Sequence, residues 1–269
     1  MIRLFSILLS VVTLLSCQSC FASQESEDIQ RMVTRFQLAV EANPKSLPNR
    51  LELGEAYIMS GNAKGAIEQF REAIKLDGSS GEAYCGLARA LLRNRDIDGA
   101  MNALRTGMKA CPTNSEVPRR LGQLLARKQD FNQAATVFQQ AIKINPKDGA
   151  AHRDLGAALG LNGNLDAQIQ EERKALEINV NDADACYYLG SALVTKGQTD
   201  EAKRVLEKCV KIDTRNAEAF SLLGAIEANS GNFQAAISRE LAAMKLEPNN
   251  PECKTRLDKY KAGLSKKGR

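Results

Sequence analysis

The pairs Leu53-Gly54, Leu87-Ala88, Leu121-Gly122, Leu155-Gly156, Leu189-Gly190 and Leu223-Gly224 recur at a spacing of 34 residues, six times without insertion or deletion. Such a period constrains the fold because it copies one supersecondary unit along the chain, and each copy can bury its apolar face only against its neighbours. Twelve residues after each small residue the chain returns Ala66, Ala100, Ala134, Gln168, Ala202 and Ala236. Small side chains at helix contacts let two antiparallel helices approach closely, so the unit reads as a helical hairpin. Large apolar residues occupy the twenty-fourth position of the repeat at Phe70, Leu104, Phe138 and Leu206. Pro112, Pro146 and Pro248 stand where the second helix ends, since proline cannot continue it. Gly61, Gly163, Gly197 and Gly231 mark the turn inside the hairpin, where a left-handed backbone is cheap only without a Cβ.

In one register over residues 47–250, the chain carries Leu-Gly, then Ala, a large apolar residue, Ala73 or its equivalents Ala141, Ala175 and Ala243, and Pro. This pattern resembles the tetratricopeptide repeat. The resemblance implies an all-α fold, a right-handed α-α superhelix or solenoid of helical hairpins, with a concave groove that binds partner segments. The composition agrees, with 43% hydrophobic and 26% charged residues and no Trp, dominated by residues that lose little side-chain freedom in a helix.

Four segments are expected. Residues 1–22 read as a signal peptide: Arg3 precedes an apolar run from Leu4 to Leu15, and small residues follow at Ser16, Ser19 and Ala22. That run is well short of the roughly 20 residues of a membrane-spanning helix. Two cleavage readings stand: after Ala22, or before Cys17 in Leu14-Leu15-Ser16-Cys17, which resembles a bacterial lipobox. Lipidation of Cys17 would be the one route to a membrane. The protein is therefore expected to be exported: periplasmic, secreted or a membrane-anchored lipoprotein. Residues 23–46 read as an N-terminal half-repeat or cap helix, with Ile29, Met32, Val33, Phe36 and Val40 at helical spacing. Residues 47–250 hold six repeats, and residues 251–269 a C-terminal cap helix and a basic tail that frays from Ser265.

Some slots depart from the pattern. Pro118 sits in the first turn of its helix, where proline is tolerated. Gln168, Glu172 and Glu240 place polar groups at packing positions and are expected to reach water near helix surfaces or to find a partner. A soft spot or docking site at repeat four is the functional alternative.

No catalytic, metal or cofactor constellation is present in the sequence, so an enzyme is not expected. The single histidine, His152, occupies the repeat slot of Tyr84 and Phe220 and reads as a packed side chain. Export makes disulfides admissible, and Cys186 and Cys209, on the two helices of repeat five, are the candidate pair. A free, packed thiol is the other reading of Cys209.

By the resemblance, set positions of each first helix line the groove. They give Arg89, Arg93, Arg119, Arg120, Arg127 and Arg153, opposed mainly by Glu82, Glu116 and Asp154, and then Tyr187 and Tyr188. Such a surface suits a protein or peptide with carboxylates at one end and apolar or aromatic side chains at the other; the bland alternative is a solvated helix face. The leading function is a non-catalytic scaffold or adaptor in the cell envelope. Alternatives are a regulatory subunit of an enzyme complex, and polyanion or nucleic-acid binding through the arginines, suggested by the net charge of +5. Export, and the distance in sequence between the tyrosines and the arginines, argue against nucleic acid. Reversing Arg93, Arg120 and Arg127 to Glu is expected to weaken partner binding and its salt dependence in a titration; unchanged affinity would discard this surface.

Overall fold

The computed structural model describes residue 24 and residues 26–267, and every regular element among them is a helix. The leader expected at residues 1–22, with Cys17, lies outside the described residues. Helix α1 covers 26–42. It is followed by α2 (Leu47–Met59), α3 (Ala63–Leu76), α4 (Gly81–Arg93), α5 (Ile97–Ala110), α6 (Glu116–Arg127) and α7 (Phe131–Ile144). Then come α8 (Gly149–Leu161), α9 (Leu165–Ile178), α10 (Ala183–Thr195), α11 (Thr199–Ile212), α12 (Ala217–Asn229), α13 (Phe233–Leu246) and α14 (Pro251–Lys267). The chain divides into two compact units, one ending at Leu121 and the other beginning at Gly122.

Every hairpin is started by its own side chains. Ser46, Ser80, Asp148, Asp182 and Asn216, in slots 34 residues apart or a multiple of that, each accept a hydrogen bond from the backbone N–H three residues on. Asn114, in the same series, accepts from the N–H groups of Glu116 and Val117. The second helices repeat the device with Asn62, Asp96, Asp130 and Asn164. Each cap satisfies a donor that the first helical turn leaves without a partner. Gln198 and Asn232, in the same slot, make no such bond, so the second helices of the last two repeats start less firmly.

The turn inside the hairpin has one geometry throughout. Gly61, Gly163, Gly197 and Gly231 have φ of 73 to 84°, as their spacing predicts, and Arg95 and Gln129 complete the series with φ of 63°. At the second of these, the N–H of Asp130 returns to the Leu125 carbonyl at 3.0 Å, the six-to-one bond that closes a helix when its next residue is left-handed. Two repeats thus place a side chain where four use glycine.

The packing rests on small residues set against large ones. Ala66, Ala100, Ala134, Ala202 and Ala236 are fully buried. In the first unit the Phe70 ring packs so closely over Gly54 that a Cβ there would come within 2.7 Å of it, and α2 packs on both α3 and α4. In the second unit Gly122 meets Phe138 and Gly190 meets Leu206, each at 2.6 Å by the same measure. Helix α1 joins the first unit through the buried Val33, a Gln37 Nε2 bond to the Tyr57 hydroxyl and an Asn49 Nδ2 bond to the Ala39 carbonyl.

The polar slots differ from expectation. Gln168, Glu172 and Glu240 are buried, at 7%, 0% and 0% exposure, instead of lying near helix surfaces. Gln168 fills the space left by Gly160 and its Nε2 donates to the Tyr188 carbonyl at 3.4 Å. Pro118 is fully buried in the first turn of α6. The basic tail does not fray at Ser265: α14 continues to Lys267, whose Nζ donates to the Gly231 carbonyl at 2.9 Å, while Cys253, Leu257 and Tyr260 bury the inner face.

A non-glycine residue held in the left-handed region costs about 1–2 kcal/mol, partly offset by the entropy that glycine loses on folding. Arg95→Gly and Gln129→Gly are therefore each expected to stabilise the fold by about 0.5–1 kcal/mol, read as a rise in the urea midpoint; a fall in both would mean that these side chains make contacts worth more than the backbone relief.

Candidate functional site

The arginines that the sequence offered as a basic surface are, in the first unit, largely neutralised by neighbouring carboxylates. Arg89 on α4 pairs with Glu55 on α2. Arg119 and Arg120 both reach Glu116 one turn earlier on α6, each at 2.6 Å. Burial works to raise Glu116, but hydrogen bonds and charge from these two arginines hold it below its ordinary value. Burial, with the nearby Glu82 and Glu52, leaves Glu55 above its ordinary value despite Arg89. Arg93 is exposed in the last turn of α4. Cys85, half-buried beside Arg89, Arg120 and Glu116, is pushed up to about 12 mainly by burial. It is a thiol, not a nucleophilic thiolate.

The second unit gathers a different set. Arg153 on α8 donates from Nη1 to Asp182 Oδ2 at 2.8 Å and lies within 3.7 Å of Asp154 and 3.8 Å of Asp184. Burial opposes its charge, but the bond to Asp182 and the three carboxylates raise its affinity for the proton. Tyr187 and Tyr188, on α10, are half-buried with ring centroids 5.5 Å apart. Arg127 is exposed at the end of α6. Arg153 and Tyr188 are drawn together through a residue that no groove position supplied: Glu172 on α9.

Glu172 fills the slot that holds Phe70, Phe138 or Leu206 in other repeats, and lies under Gly156 at 2.6 Å by the Cβ measure. Its side chain is fully buried, and neither carboxyl oxygen has a hydrogen-bond partner among the described residues. Burial pushes it up to about 9; Arg153 pulls the other way, and Asp182, Asp154 and Asp184 push further. It therefore keeps its proton at pH 7, because burial without a hydrogen-bond partner disfavours the ionised form. Once ionised, Glu172 would add to the burial that already raises Tyr188 and Cys186. The sequence signal for this site was the break in an otherwise apolar column of the repeat; what could not be read was that Arg153 turns to Asp182 and leaves the glutamate unserved.

The remaining candidates have structural surroundings. His152 is buried, with Nδ1 2.6 Å from Glu171 Oε2 and Nε2 3.2 Å from the Pro146 carbonyl. The candidate disulfide is not formed: Cys186 and Cys209 are free thiols in one apolar cluster, with Cys209 Sγ directed at the Ala183 carbonyl at 3.5 Å. Burial raises both, Cys209 to about 12. Among the described residues no group of His, Cys, Asp and Glu could hold a metal ion, and no helix is long and apolar enough to cross a membrane.

Models of the tetratricopeptide repeat match residues 59–117, 119–184 and 183–216. Among solved structures, PilF of Pseudomonas aeruginosa is similar at 18% identity over 80% of this chain and 96% of that one, with a TM-score of 0.68. A chain of the Cut9–Hcn1 hetero-tetramer of the APC/C is similar at 17% identity and a TM-score of 0.67, over 88% of this chain. This chain spans 46% of that one, less than half its length. MamA is similar at 25% identity and a TM-score of 0.57, over 60% of this chain and 95% of its own. Comparison with curated proteins gives no match.

Glu172 ordinarily titrates at 4.5 and in the fold at about 9. Between those values the folded chain holds a proton that the unfolded chain has released, so stability falls as pH rises through that window and levels off above it. Glu172→Gln keeps the shape without the titration. Its thermal midpoint is expected to rise relative to the natural protein from pH 5 to pH 9, with an underlying slope of roughly 1 kcal/mol per pH unit. Parallel pH profiles would refute the buried neutral carboxyl.

Proposed function

Because the chain belongs to the tetratricopeptide repeat family, whose repeats serve as protein-protein interaction scaffolds, we propose that it is a non-catalytic adaptor of the cell envelope that holds a segment of one partner protein. The observation that carries this reading is the cluster of the second unit, where Arg153, Tyr187 and Tyr188 are half-buried on the first helices of successive repeats. Half-buried tyrosines and arginines supply rigid contact area with a polar handle, the character of residues that dominate binding energy. The repeats and their capping helices occupy nearly all of 26–267, which supports a scaffold that leaves the chemistry to its partner.

Support for a purely acidic partner is weaker than composition suggests. A partner carboxylate would have to displace Glu55 from Arg89 and Glu116 from Arg119 and Arg120. The same pairing counts against a polyanion as the ligand, which needs arginines free to meet phosphates. The partner is instead a protein segment that lays apolar or aromatic side chains against the tyrosines. Placement in the envelope rests on the leader at residues 1–22, with either a free form or a form lipidated at Cys17.

A photo-crosslinking amino acid at position 187 is expected to trap one defined protein in cells. Arg153→Ala with Tyr188→Ala should weaken that partner about tenfold or more in a binding titration. Fractionation of Cys17→Ala reports the anchor: release from membranes marks lipidation, and unchanged soluble export marks cleavage after Ala22. Affinity indifferent to both substitutions would sink the binding surface, and retention of the full leader in the cytoplasm would sink the envelope placement.

A further inference from the structure

Two repeats apart, the same slot of the hairpin holds a fully buried glutamate, and the two are served differently. Glu240 Oε1 accepts from Arg256 Nε at 3.0 Å and from Ser221 Oγ at 3.2 Å. Arg256 lies 16 residues beyond Glu240, on α14, and spans out to Glu252 and the Cys253 sulfur. Within one molecule, then, a guanidinium reaching in from the following first-helix position is the group that accommodates a carboxylate in this slot. Shifting back 68 residues replaces Glu240 by Glu172, Ser221 by Arg153 and Arg256 by Tyr188. No hydrogen bond reaches Glu172 from among the described residues, and Arg153 is already held by Asp182.

A buried carboxyl without a donor is costly, and native folds rarely keep one without a reason. The charged groups acting on Glu172 are Arg153 on one side and Asp182, Asp154 and Asp184 on the other, a balance that favours an added cation. Tyr188, half-buried in the slot from which Arg256 serves Glu240, can flank such a cation with its ring face. We propose that Glu172 is the anchor for an arginine side chain of the bound partner segment, whose guanidinium takes at repeat four the place that Arg256 takes at repeat six. Arginine fits better than lysine, because at Glu240 it is a guanidinium that meets Oε1, with Oε2 left buried and without a partner among the described residues, and a guanidinium surrenders its hydration more easily than an ammonium. On binding, the carboxyl proton leaves to solvent and a charge-paired bond forms. The inference rests on the second unit being a protein-binding surface and names one anchor of the partner.

Two arms test it on the full chain. Tyr188→Arg places a guanidinium in the slot from within. It is expected to abolish the fall in stability between pH 5 and pH 9, and Glu172→Gln added to it is expected to lower the thermal midpoint at pH 8. Retention of the natural pH profile by Tyr188→Arg would show that the slot does not accept a guanidinium and would overturn the proposal. In the second arm, protein carrying 13C-labelled glutamate carboxyls is titrated at pH 7.5 with N-acetyl-arginine methylamide. The resonance missing from Glu172→Gln should move saturably to its ionised position, with the lysine analogue at least tenfold weaker and the citrulline analogue inert. No saturable movement, or equal movement with citrulline, overturns the anchor. A partner trapped at position 187 that binds the natural protein and Glu172→Gln equally well would overturn the arginine anchor while leaving the binding surface standing.

Discussion

Close approach between the two helices of each hairpin is the constraint on which the fold depends. Gly54 under Phe70, Gly122 under Phe138 and Gly190 under Leu206 leave no room for a Cβ. Ala66, Ala100, Ala134, Ala202 and Ala236, all fully buried, keep the helices at that distance. A small residue set under a large apolar one in fixed register interlocks the two helices, and repetition of that contact builds a core that no single hairpin could bury. Caps at the first helices, caps at four of the second helices and left-handed turns between them follow the same period, so local and packing preferences agree over most of the chain.

Because that contact is so regular, its exceptions carry meaning. A glutamate in the large slot cannot fill it as phenylalanine does. Its cost depends on whether a donor arrives. Glu240 meets Arg256 and Ser221 and becomes part of the seam that attaches α14. Glu172 meets no donor, because Arg153 is committed to Asp182, and it stays protonated beneath Gly156. The same residue in the same slot is in one case structural cement and in the other an unused acceptor, and the difference lies in what the following first helix presents. Gln168 with Gly160 shows the milder form of the exchange, in which a neighbour shrinks to admit the polar side chain.

Charge is distributed less simply than a count of arginines implies. In the first unit Arg89, Arg119 and Arg120 spend their charge on Glu55 and Glu116. In the second, Arg153 is surrounded by three aspartates. Electrostatic character in such an array is set pair by pair between adjacent turns and adjacent helices, and net charge says little about any one face.

The sequence by itself determined the fold class, the hairpin period and the turn positions, because each repeat uses the same local devices and periodicity multiplies a weak signal sixfold. Gly61, Gly163, Gly197 and Gly231 were legible as left-handed turns since only glycine adopts that backbone without cost. Arg95 and Gln129 were not, since the packed repeat overrides their preference. The polar departures at Gln168, Glu172 and Glu240 were legible as departures. Only the tertiary structure decided that they are buried, that Arg153 faces Asp182, and that Cys186 and Cys209 sit as separate thiols. Burial and hydrogen-bond partnership are set by residues tens of positions apart in sequence, and side chains choose among partners only once the helices have met.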